Sequence, residues 1–198
     1  MARDKYNIIM DILDLLKNRR SVRDFADKNV ENEVLMKLFE AARWAPSSFN
    51  GQPWRFIYAN KNDNPDLYDK LFNLMFEFNQ AWAKAAPVIV LSMARVKYEL
   101  TGEDYNHAWH DVGLAVGNMS IMASSLGLSL HQMSGFNIEK AKQDLNIPDR
   151  LEPVSIIAIG YPAKTGNLPL DIFKMETSQR ERKELEEFVF NKAFGSED

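Results

Sequence analysis

Two amphipathic helices are predicted near the start of the chain. The first rests on isoleucines and leucines that recur at helical spacing and stop before Asn18: Ile8, Ile9, Ile12, Leu13, Leu15 and Leu16. In the second, Leu35, Leu38, Phe39 and Ala42 follow the i, i+3, i+4, i+7 stripe. Because a proline disfavours helical geometry in the residue before it, Pro46 predicts that this helix ends near Trp44.

Three short apolar runs have the character of strands. They read WRFIYA from Trp54, PVIVLSMA from Pro87 and EPVSIIAIGYP from Glu152, and each adjoins turn-forming residues. The segment PSSFNGQPW that precedes the first run is itself dense in turn formers. We therefore expect a loop there, leading into a strand.

Further helices are predicted between and after these strands. Leu67, Leu71, Leu74, Met75 and Phe78 mark one that runs toward Trp82. Residues 108–130 are apolar nearly all round, so that helix must be buried on most faces, which favours a dimer interface. Asn137 is a plausible N-cap for a short helix that stops at residues 146–148. A last helix is predicted over residues 181–194, with Leu185, Phe188 and Val189 on one face.

The order of these elements predicts the fold class. Helices dominate, and the strands are joined neither by tight hairpin turns nor by regular βα alternation. This favours an α+β fold over a doubly wound sheet. Neither a repeat nor a linker divides the sequence, so we expect residues 1–198 to form a single domain.

Composition and charge exclude several classes of function. The net charge is -4, which argues against binding to nucleic acid. No run approaches the roughly 20 apolar residues of a membrane span. The sequence has no cysteine, and its first residues lack the order of a signal peptide. A cytoplasmic setting without a membrane or nucleic-acid partner is therefore expected.

The stretch NRRSVRDF, residues 18–25, is an exception to the acidic balance. Three arginines and a serine lie within five positions. Cations favour helix C-termini, so a solvated helix end is one interpretation. The other is a local anion site, because guanidinium groups bind phosphate oxygens in bidentate, charge-assisted hydrogen bonds.

A resemblance to a known family favours the anion site over the solvated helix end. The motifs RRSVR, APSSFNGQPW, HQMSGF, IAIGYP and SQRERKELEEFV occur in an order and at a spacing that resemble the FMN-dependent nitroreductase family over nearly the whole length. The resemblance implies an intertwined homodimer with a mixed or antiparallel sheet flanked by helices. It also implies two FMN molecules bound at the subunit interface.

The resemblance assigns the arginines to FMN. Arg19, Ser21, Arg180 and Arg182 match the contacts to its phosphate and ribityl chain, and Arg20 joins them with less support. Arg23 matches the residue beside the N1 and C2 carbonyl edge of the ring. A cation there stabilises the negative charge that reduction places on this edge.

Two further segments match family regions that line the flavin. The first runs from Pro46 to Gln52 and lines the flavin from the partner protomer, with hydrogen bonds offered by Ser47, Ser48, Asn50 and Gln52. The second contains the turn whose main-chain amide donates to flavin N5, here Ser134, with Gly135 giving backbone freedom: Gln132, Met133, Ser134 and Gly135. Many family members carry glutamate at the Ser134 position. Phe49 and Trp82 are the first aromatic candidates to cover the flavin.

Other chemistries have little support in the sequence. His107 and His110, followed by Asp111, have the spacing of a metal-ligand pair, but no third ligand is evident. The fingerprints of hydrolases, P-loop proteins and Rossmann dinucleotide sites do not occur. We expect no catalytic side chain and no metal, because the flavin performs the chemistry.

The resemblance implies an enzyme in which NAD(P)H delivers hydride to FMN and leaves. A nitroaromatic, a quinone or a related small acceptor then takes the electrons, which gives ping-pong kinetics. Two alternatives stay open. One is a specialised flavin enzyme of the same fold, such as a dehalogenase or an enzyme that consumes its flavin. The other is a non-enzymatic flavin- or anion-binding protein.

Overall fold

An antiparallel sheet lies at the centre of the computed structural model, which describes residues 5–163 and 168–194, with side chains from residue 12 onward. Its strands are β1 (Trp54–Asn60), β2 (Val88–Arg95), β3 (Ser129–Met133) and β4 (Leu151–Gly160). They lie in the order β1-β2-β4-β3, and each neighbouring pair is antiparallel. The three predicted strands are confirmed, as is the α+β class without hairpins, and β3 is an additional strand.

The two faces of the sheet bury different helices. The helices are α1 (Lys5–Asn18), α2 (Asn32–Arg43), α3 (Pro65–Phe72), α4 (Glu77–Ala83), α5 (Ala108–Ser125), α6 (Ile138–Asp144) and α7 (Leu170–Thr177). On one face, Ile89 and Leu91 of β2 pack with residues of α3 and α4, among them Trp82. On the other face, Val88 and Val90 pack with α2 and α5. Because β2 is covered on both faces, every one of its residues is buried and its apolar residues Val88–Leu91 show no alternation.

A bulge fixes the register between the central strands. The pairing of β2 with β4 shifts between Ser92 and Met93, and Met93 lies opposite Pro153. Proline has no N–H to donate, so it is tolerated in a sheet at such an irregularity. Beside it, the Ser92 and Ser155 hydroxyl oxygens are 2.8 Å apart and buried, which satisfies both polar groups inside the sheet.

The first helices and the short α6 agree with their predicted bounds. Helix α1 ends at Asn18, and α2 ends at Arg43 with Trp44 as its C-cap. The Asn137 side chain accepts a hydrogen bond from the Lys140 N–H at 2.9 Å, so the predicted N-cap of α6 is confirmed. An unpredicted cap of the same kind is made by Asn64 at the start of α3.

The predicted helix from Leu67 to Trp82 is wrong, because the chain breaks it into α3 and α4. Between them, Met75 pairs as an isolated bridge with Phe136. The Asn137 N–H donates to the Leu74 carbonyl at 2.8 Å, and the Phe76 N–H donates to the Gly135 carbonyl at 3.1 Å. The Leu74 carbonyl and the Phe76 N–H thus bond to distant backbone and not within a helix.

The helix predicted over residues 108–130 is too long. Helix α5 ends at Ser125, and Gly127 adopts a left-handed φ of 73°, a conformation that glycine supplies at helix ends. Ser129 and Leu130 then belong to β3. Residues 126–128 form the turn between α5 and β3.

The predicted C-terminal helix is also wrong. Only a single 3-10 turn, Leu185–Glu187, forms over residues 181–194, and Leu185, Phe188 and Val189 are exposed. A short amphipathic helix needs a surface on which to bury its apolar face, and none of the described residues provides one. Helix α7, which was not predicted from the sequence, precedes this segment.

The size and polarity of the helices bear on membrane crossing. None of the helices in the two described ranges is both long enough and apolar enough to traverse a bilayer.

Candidate functional site

The backbone of residues 20–22 is fastened to the start of β3. The Ser129 hydroxyl donates to the Arg20 carbonyl at 2.7 Å and accepts from the Val22 N–H at 3.3 Å. His131 Nδ1 donates to the Val22 carbonyl at 2.9 Å. Since Ser129 and His131 are two apart, they lie on one face of the strand. The arginine segment is therefore held by a rigid element.

The chain after α7 returns to the same place. Arg20 Nη2 donates to the Glu176 carbonyl at 3.1 Å, and Arg180 donates to the Arg19 carbonyl. The Arg23 N–H donates to Glu176 Oε2 at 3.0 Å. Residues separated by more than 150 positions are thereby joined. Glu176, Ser129 and His131 were not predicted, because nothing in the sequence marks such long-range anchors.

We call Arg19, Arg20, Arg180 and Arg182 the arginine cluster. A cavity of about 360 Å³ is lined by Lys17, Asn18, Arg20, Arg180 and Arg182, and Arg19 lies beside it. Within the described residues, no aspartate or glutamate lines it. Burial, and then the charges of Arg180 and Arg182, lower the pKa of Arg19. Crowded cations without a carboxylate form a surface that an anion would stabilise.

Beside the cluster, Arg23 and Trp82 carry buried donors. The Arg23 guanidinium lies 5.9 Å from the Trp82 ring, and one of its nitrogens is 4.0 Å from Glu176 Oε2. Arg23 Nε and Trp82 Nε1 are buried, with no hydrogen-bond acceptor among the described residues. An unpaired buried donor is costly, so these two atoms favour a ligand that brings acceptors.

The environment of His131 keeps that residue neutral. Its ring centroid lies 4.5 Å from that of Trp82. Burial lowers the pKa of His131 to about 4, although the hydrogen bond to Val22 opposes this shift. At neutral pH the imidazole therefore adds no charge to the arginine cluster. Trp82 is only 1% exposed and packs with Phe25 in the core, so its ring is not an open platform for a ligand.

The predicted segment 132–135 continues β3 away from the arginine segment. Gln132 and Ser134 are exposed, whereas the Met133 side chain is buried in the core, which leaves only its backbone for a ligand. The Gly135 carbonyl accepts from Asn79 Nδ2 at 3.0 Å, and an added Cβ would lie 2.7 Å from that same nitrogen. A side chain at position 135 would therefore displace the Asn79 amide that donates to this carbonyl.

The second predicted segment forms what we call the clamped loop, residues 46–52. Phe49, Asn50 and Gln52 all have positive φ, between 45° and 53°, a conformation that side chains disfavour. Asn50 and Gln52 are exposed, and Pro46 is exposed as well. The Ser47 hydroxyl accepts from the Gln52 N–H at 3.0 Å, which closes the loop on itself.

A buried carboxylate outside the loop holds it in this shape. Asp111 Oδ2 accepts from the Ser48 N–H at 2.9 Å and lies 2.8 Å from the Tyr105 hydroxyl. Burial opposes ionisation of Asp111, but the hydrogen bonds from His110, Ser48 and Tyr105 outweigh it and lower the pKa. This role was not predicted from the sequence, although Asp111 is the one acidic residue in the apolar run of α5.

Topology separates the clamped loop from the arginine cluster within one chain. The loop leads into Trp54, which pairs with Ala94, and Ala94 in turn pairs with Glu152 near the start of β4. Ser129, next to the cluster, pairs with Gly160 at the opposite end of β4. The structure therefore brings together the predicted residues of the arginine segment, β3 and the C-terminal segment, but not those of the clamped loop.

The histidine pair that the sequence raised as a metal candidate lies beside the clamped loop. The His107 and His110 ring centroids are 6.4 Å apart, and His110 Nδ1 donates to Asp111 Oδ1 at 3.0 Å. Across residues 5–163 and 168–194, no group of three or more potential metal ligands comes together. His110 and Asp111 thus interact with each other.

The fold and the cationic site define the class of protein. The sequence profile of the Nitroreductase family matches residues 16–161, which is most of the chain. The protein belongs to the nitroreductase family.

Individual relatives agree with this assignment. A protein of Methanothermobacter thermautotrophicus, provisionally named NADH dehydrogenase/NAD(P)H nitroreductase, is 30% identical over 160 residues, covering 78% of this chain and 79% of its own. The FMN reductase (NAD(P)H) of Bacillus subtilis is 28% identical over 170 residues, covering 77% of this chain and 66% of its own. A solved oxidoreductase containing FMN is 31% identical, with a TM-score of 0.85 over 91% of each chain.

The residues present fit an FMN group. Its phosphate is an acceptor-rich dianion, which suits a cavity lined by cations without a carboxylate. Its ring offers carbonyl and nitrogen acceptors, which suit the guanidinium of Arg23, whose Nε has no acceptor among the described residues.

Proposed function

We propose that this protein is an FMN-dependent oxidoreductase that uses NAD(P)H to reduce nitroaromatics, quinones or related small acceptors in a ping-pong reaction. The observation that carries the proposal is the arginine cluster, whose cavity is lined by cations and lacks a carboxylate among the described residues. The relatives named as NAD(P)H nitroreductase and FMN reductase support it. Bound FMN supplies the hydride chemistry, by accepting a hydride from NAD(P)H and passing the electrons on.

The arginine cluster and Ser21 bind the phosphate in this proposal. Arg19 Nη1 lies 3.3 Å from the Ser21 hydroxyl, so the two side chains can share one anionic oxygen. Arg20 and Arg180 already use part of their donors on backbone carbonyls, which fixes the positions of their remaining N–H groups. Arg182 is exposed and completes the ring of charge. A prearranged cluster loses little conformational entropy when it binds.

Arg23 and the end of β3 serve the flavin ring. Arg23 donates toward the N1 and C2 carbonyl edge, where its charge stabilises the reduced ring. The Ser134 N–H donates to N5 with support from Gln132, Met133 and Gly135, and the exposed position of Ser134 leaves room for the reacting face. No side chain here acts as a general acid or base.

A second copy of the chain completes each site. Pro46, Ser47, Ser48, Asn50 and Gln52 lie away from the arginine cluster of their own chain, so they reach a flavin only across a dimer interface. Large apolar side chains are exposed on α5 and in the C-terminal segment, where they are available to be buried between subunits: Trp109, Leu185, Phe188, Val189, Phe190 and Phe194. An intertwined homodimer accounts for both features.

The first test is the visible spectrum of the purified protein and its turnover. We expect a yellow protein that releases FMN on denaturation and oxidises NAD(P)H when a quinone or nitroaromatic is present. A colourless protein that gains no flavin band when FMN is added would contradict the proposal. Flavin binding without NAD(P)H oxidation would favour the non-enzymatic alternative, and turnover of a halogenated aromatic alone would favour the specialised one.

The second test concerns the phosphate contact. Arg19→Ala should weaken FMN binding by about 1 to 3 kcal/mol, the scale of one charged hydrogen bond. Arg43→Ala is the matched control, because Arg43 is an exposed arginine paired with Glu40 on α2. Fluorescence titration of FMN measures both. Equal affinities of the two variants would remove Arg19 from the site.

A further inference from the structure

Glu176 brings a carboxylate to Arg23, the arginine assigned to the edge of the flavin ring. It lies in α7, one residue before the end of that helix. The family profile matches residues 16–161, so Glu176 lies outside the matched part of the chain. Neither the profile nor the names of the relatives assign it a role.

The Glu176 carboxylate contacts both the backbone and the side chain of Arg23. Its Oε2 accepts from the Arg23 N–H at 3.0 Å, and the same oxygen lies 4.0 Å from Arg23 Nη1. Only 19% of the Arg23 side chain and 18% of the Glu176 side chain are exposed. Water therefore screens this pair less than it screens an open ion pair, and the carboxylate offsets part of the guanidinium charge.

The end of α7 is held in place by contacts that do not involve the Glu176 side chain. Arg20 Nη2 donates to the Glu176 carbonyl at 3.1 Å and to the Ser178 carbonyl at 3.4 Å. Further along the chain, Arg180 donates to the Arg19 carbonyl. A substitution of the Glu176 side chain that keeps a hydrogen-bond acceptor should therefore leave this part of the chain in place.

The aromatic neighbours of Arg23 are uncharged at neutral pH. The Arg23 guanidinium lies 5.9 Å from the Trp82 ring, which in turn lies 4.5 Å from the His131 ring. Burial lowers the pKa of His131 to about 4, so its imidazole is neutral. Arg23 Nε is buried without an acceptor among the described residues, which leaves it available to a flavin. Arg23 thus offers a positive charge to the ring, and Glu176 opposes it.

The chemistry of flavin reduction gives this pair a function. Two electrons and one proton from NAD(P)H leave negative charge on the N1 and C2 carbonyl edge, which a cation beside that edge stabilises. We propose that Glu176 is a positioning residue that lowers the reduction potential of bound FMN, an inference that rests on the proposed function. It fixes Arg23 at the ring edge and offsets part of its charge, which disfavours the reduced ring. A lower potential favours transfer of the electrons to the acceptor.

The test is the midpoint potential of FMN bound to the purified protein, measured by anaerobic titration with dithionite and a reference dye. Glu176→Gln keeps an acceptor for the Arg23 N–H but removes the charge. We expect it to bind reduced FMN about tenfold more tightly, relative to oxidised FMN, than the wild type does. This ratio corresponds to a rise of about 30 mV in the two-electron potential. Glu176→Asp, which keeps the charge, should raise the potential less.

Asp171→Asn is the matched control, because Asp171 is an exposed acid in the first turn of the same helix. It should leave the potential of the wild type unchanged. A Glu176 that merely anchors α7 would affect the free energy of unfolding and the affinity for oxidised FMN without raising the potential.

Three outcomes would overturn the role of Glu176. One is an unchanged or lower potential in Glu176→Gln, and another is an equal rise in Asp171→Asn. The third is a wild-type protein that binds no FMN, which would overturn the proposed function as well. A wild type that binds FMN, with a potential that Glu176→Gln does not raise, would leave the proposed function intact and show that Glu176 does not tune the flavin.

Discussion

The arginine cluster and the clamped loop differ in how far the chain itself satisfies their charged and polar groups. In the cluster, cations crowd together around a cavity that lacks a carboxylate among the described residues, and two neighbouring donors have no acceptor. In the clamped loop, an unfavourable backbone is held by a buried carboxylate whose partners lie within the chain. The cluster is incomplete without a ligand, whereas the shape of the loop is set by partners within the chain. Loss of Asp111 should therefore affect stability, and changes in the cluster should affect binding.

The strongest test of this contrast is Asp111→Ala. It leaves the Ser48 N–H and the Tyr105 hydroxyl without their shared acceptor in a buried place. Since each lost partner costs about 1 to 3 kcal/mol, we expect the free energy of unfolding to fall by about 3 kcal/mol in urea titrations. Asp104→Ala, in the exposed ion pair with Lys97, should cost far less, because an exposed ion pair contributes little to stability. Equal losses in the two variants would contradict the role of Asp111.

A pH titration tests the neutral histidine beside the arginine cluster. The pKa of His131 is about 4 in the folded protein and about 6.5 when unfolded, so the unfolded state binds more protons between these values. Stability should therefore fall as the pH drops below 6.5. At pH 5 the loss from this group is about 2 kcal/mol relative to pH 7.

His131→Gln should remove that part of the loss. His107→Gln, at an exposed histidine, is the control and should keep the loss of the wild type. The measurement is the free energy of unfolding at pH 7 and pH 5 for all three proteins. Parallel falls in the wild type and His131→Gln would show that His131 is not the group responsible.

Arg182→Ala probes the cluster from its exposed side. We expect FMN affinity to fall about tenfold, or about 1.4 kcal/mol, because one charged contact to phosphate is lost. The free energy of unfolding should stay within about 0.5 kcal/mol, since the change removes a like charge from the neighbourhood of Arg19. Flavin titration and urea unfolding of the same samples test both statements. A stable protein with unchanged FMN affinity would separate Arg182 from the phosphate.

The smallest effect concerns the backbone of the clamped loop. Phe49 has a φ of 50° and an exposed ring, so the variants Phe49→Gly and Phe49→Ala lose the same side-chain contacts. At a left-handed position glycine avoids the clash that Cβ suffers. Phe49→Gly should therefore be more stable than Phe49→Ala by about 1 kcal/mol in urea unfolding. The reverse order, which is normal elsewhere, would mean that the loop is not left-handed there in solution.

The parts of the fold predicted from sequence are those that local chemistry decides. The stripe of Leu35, Leu38 and Ala42 faces the core as its spacing indicates, and Asn137 caps its helix. The failures occur where distant partners decide. Met75 leaves the helical pattern because Phe136 pairs with it, and the apolar face of residues 185–189 finds no described surface on which to form a helix.

The candidate site shows the same division. The arginine motif and the resemblance indicated Arg19, Arg20, Arg180 and Arg182, and the structure places these residues around one cavity or beside it. Their roles toward FMN stay predictions. Ser129, His131 and Glu176 could not be predicted, because they act by fastening backbone that lies more than 100 residues away. The local sequence pattern does not indicate hydrogen bonds between residues so far apart in the chain.

The sheet order has a consequence for how the chain reaches this structure. Val88 pairs with Ile159, and the connection between them contains α5, β3 and α6. No two of the described strands are joined by a hairpin. The chain between two paired strands must therefore fold back as a long loop before their hydrogen bonds can form. Proteins dominated by such distant pairings fold slowly. A nascent chain that ends before β4 can pair β2 with β1 but exposes the other edge of β2, so synthesis of this protein calls for protection against aggregation until residue 160 has emerged.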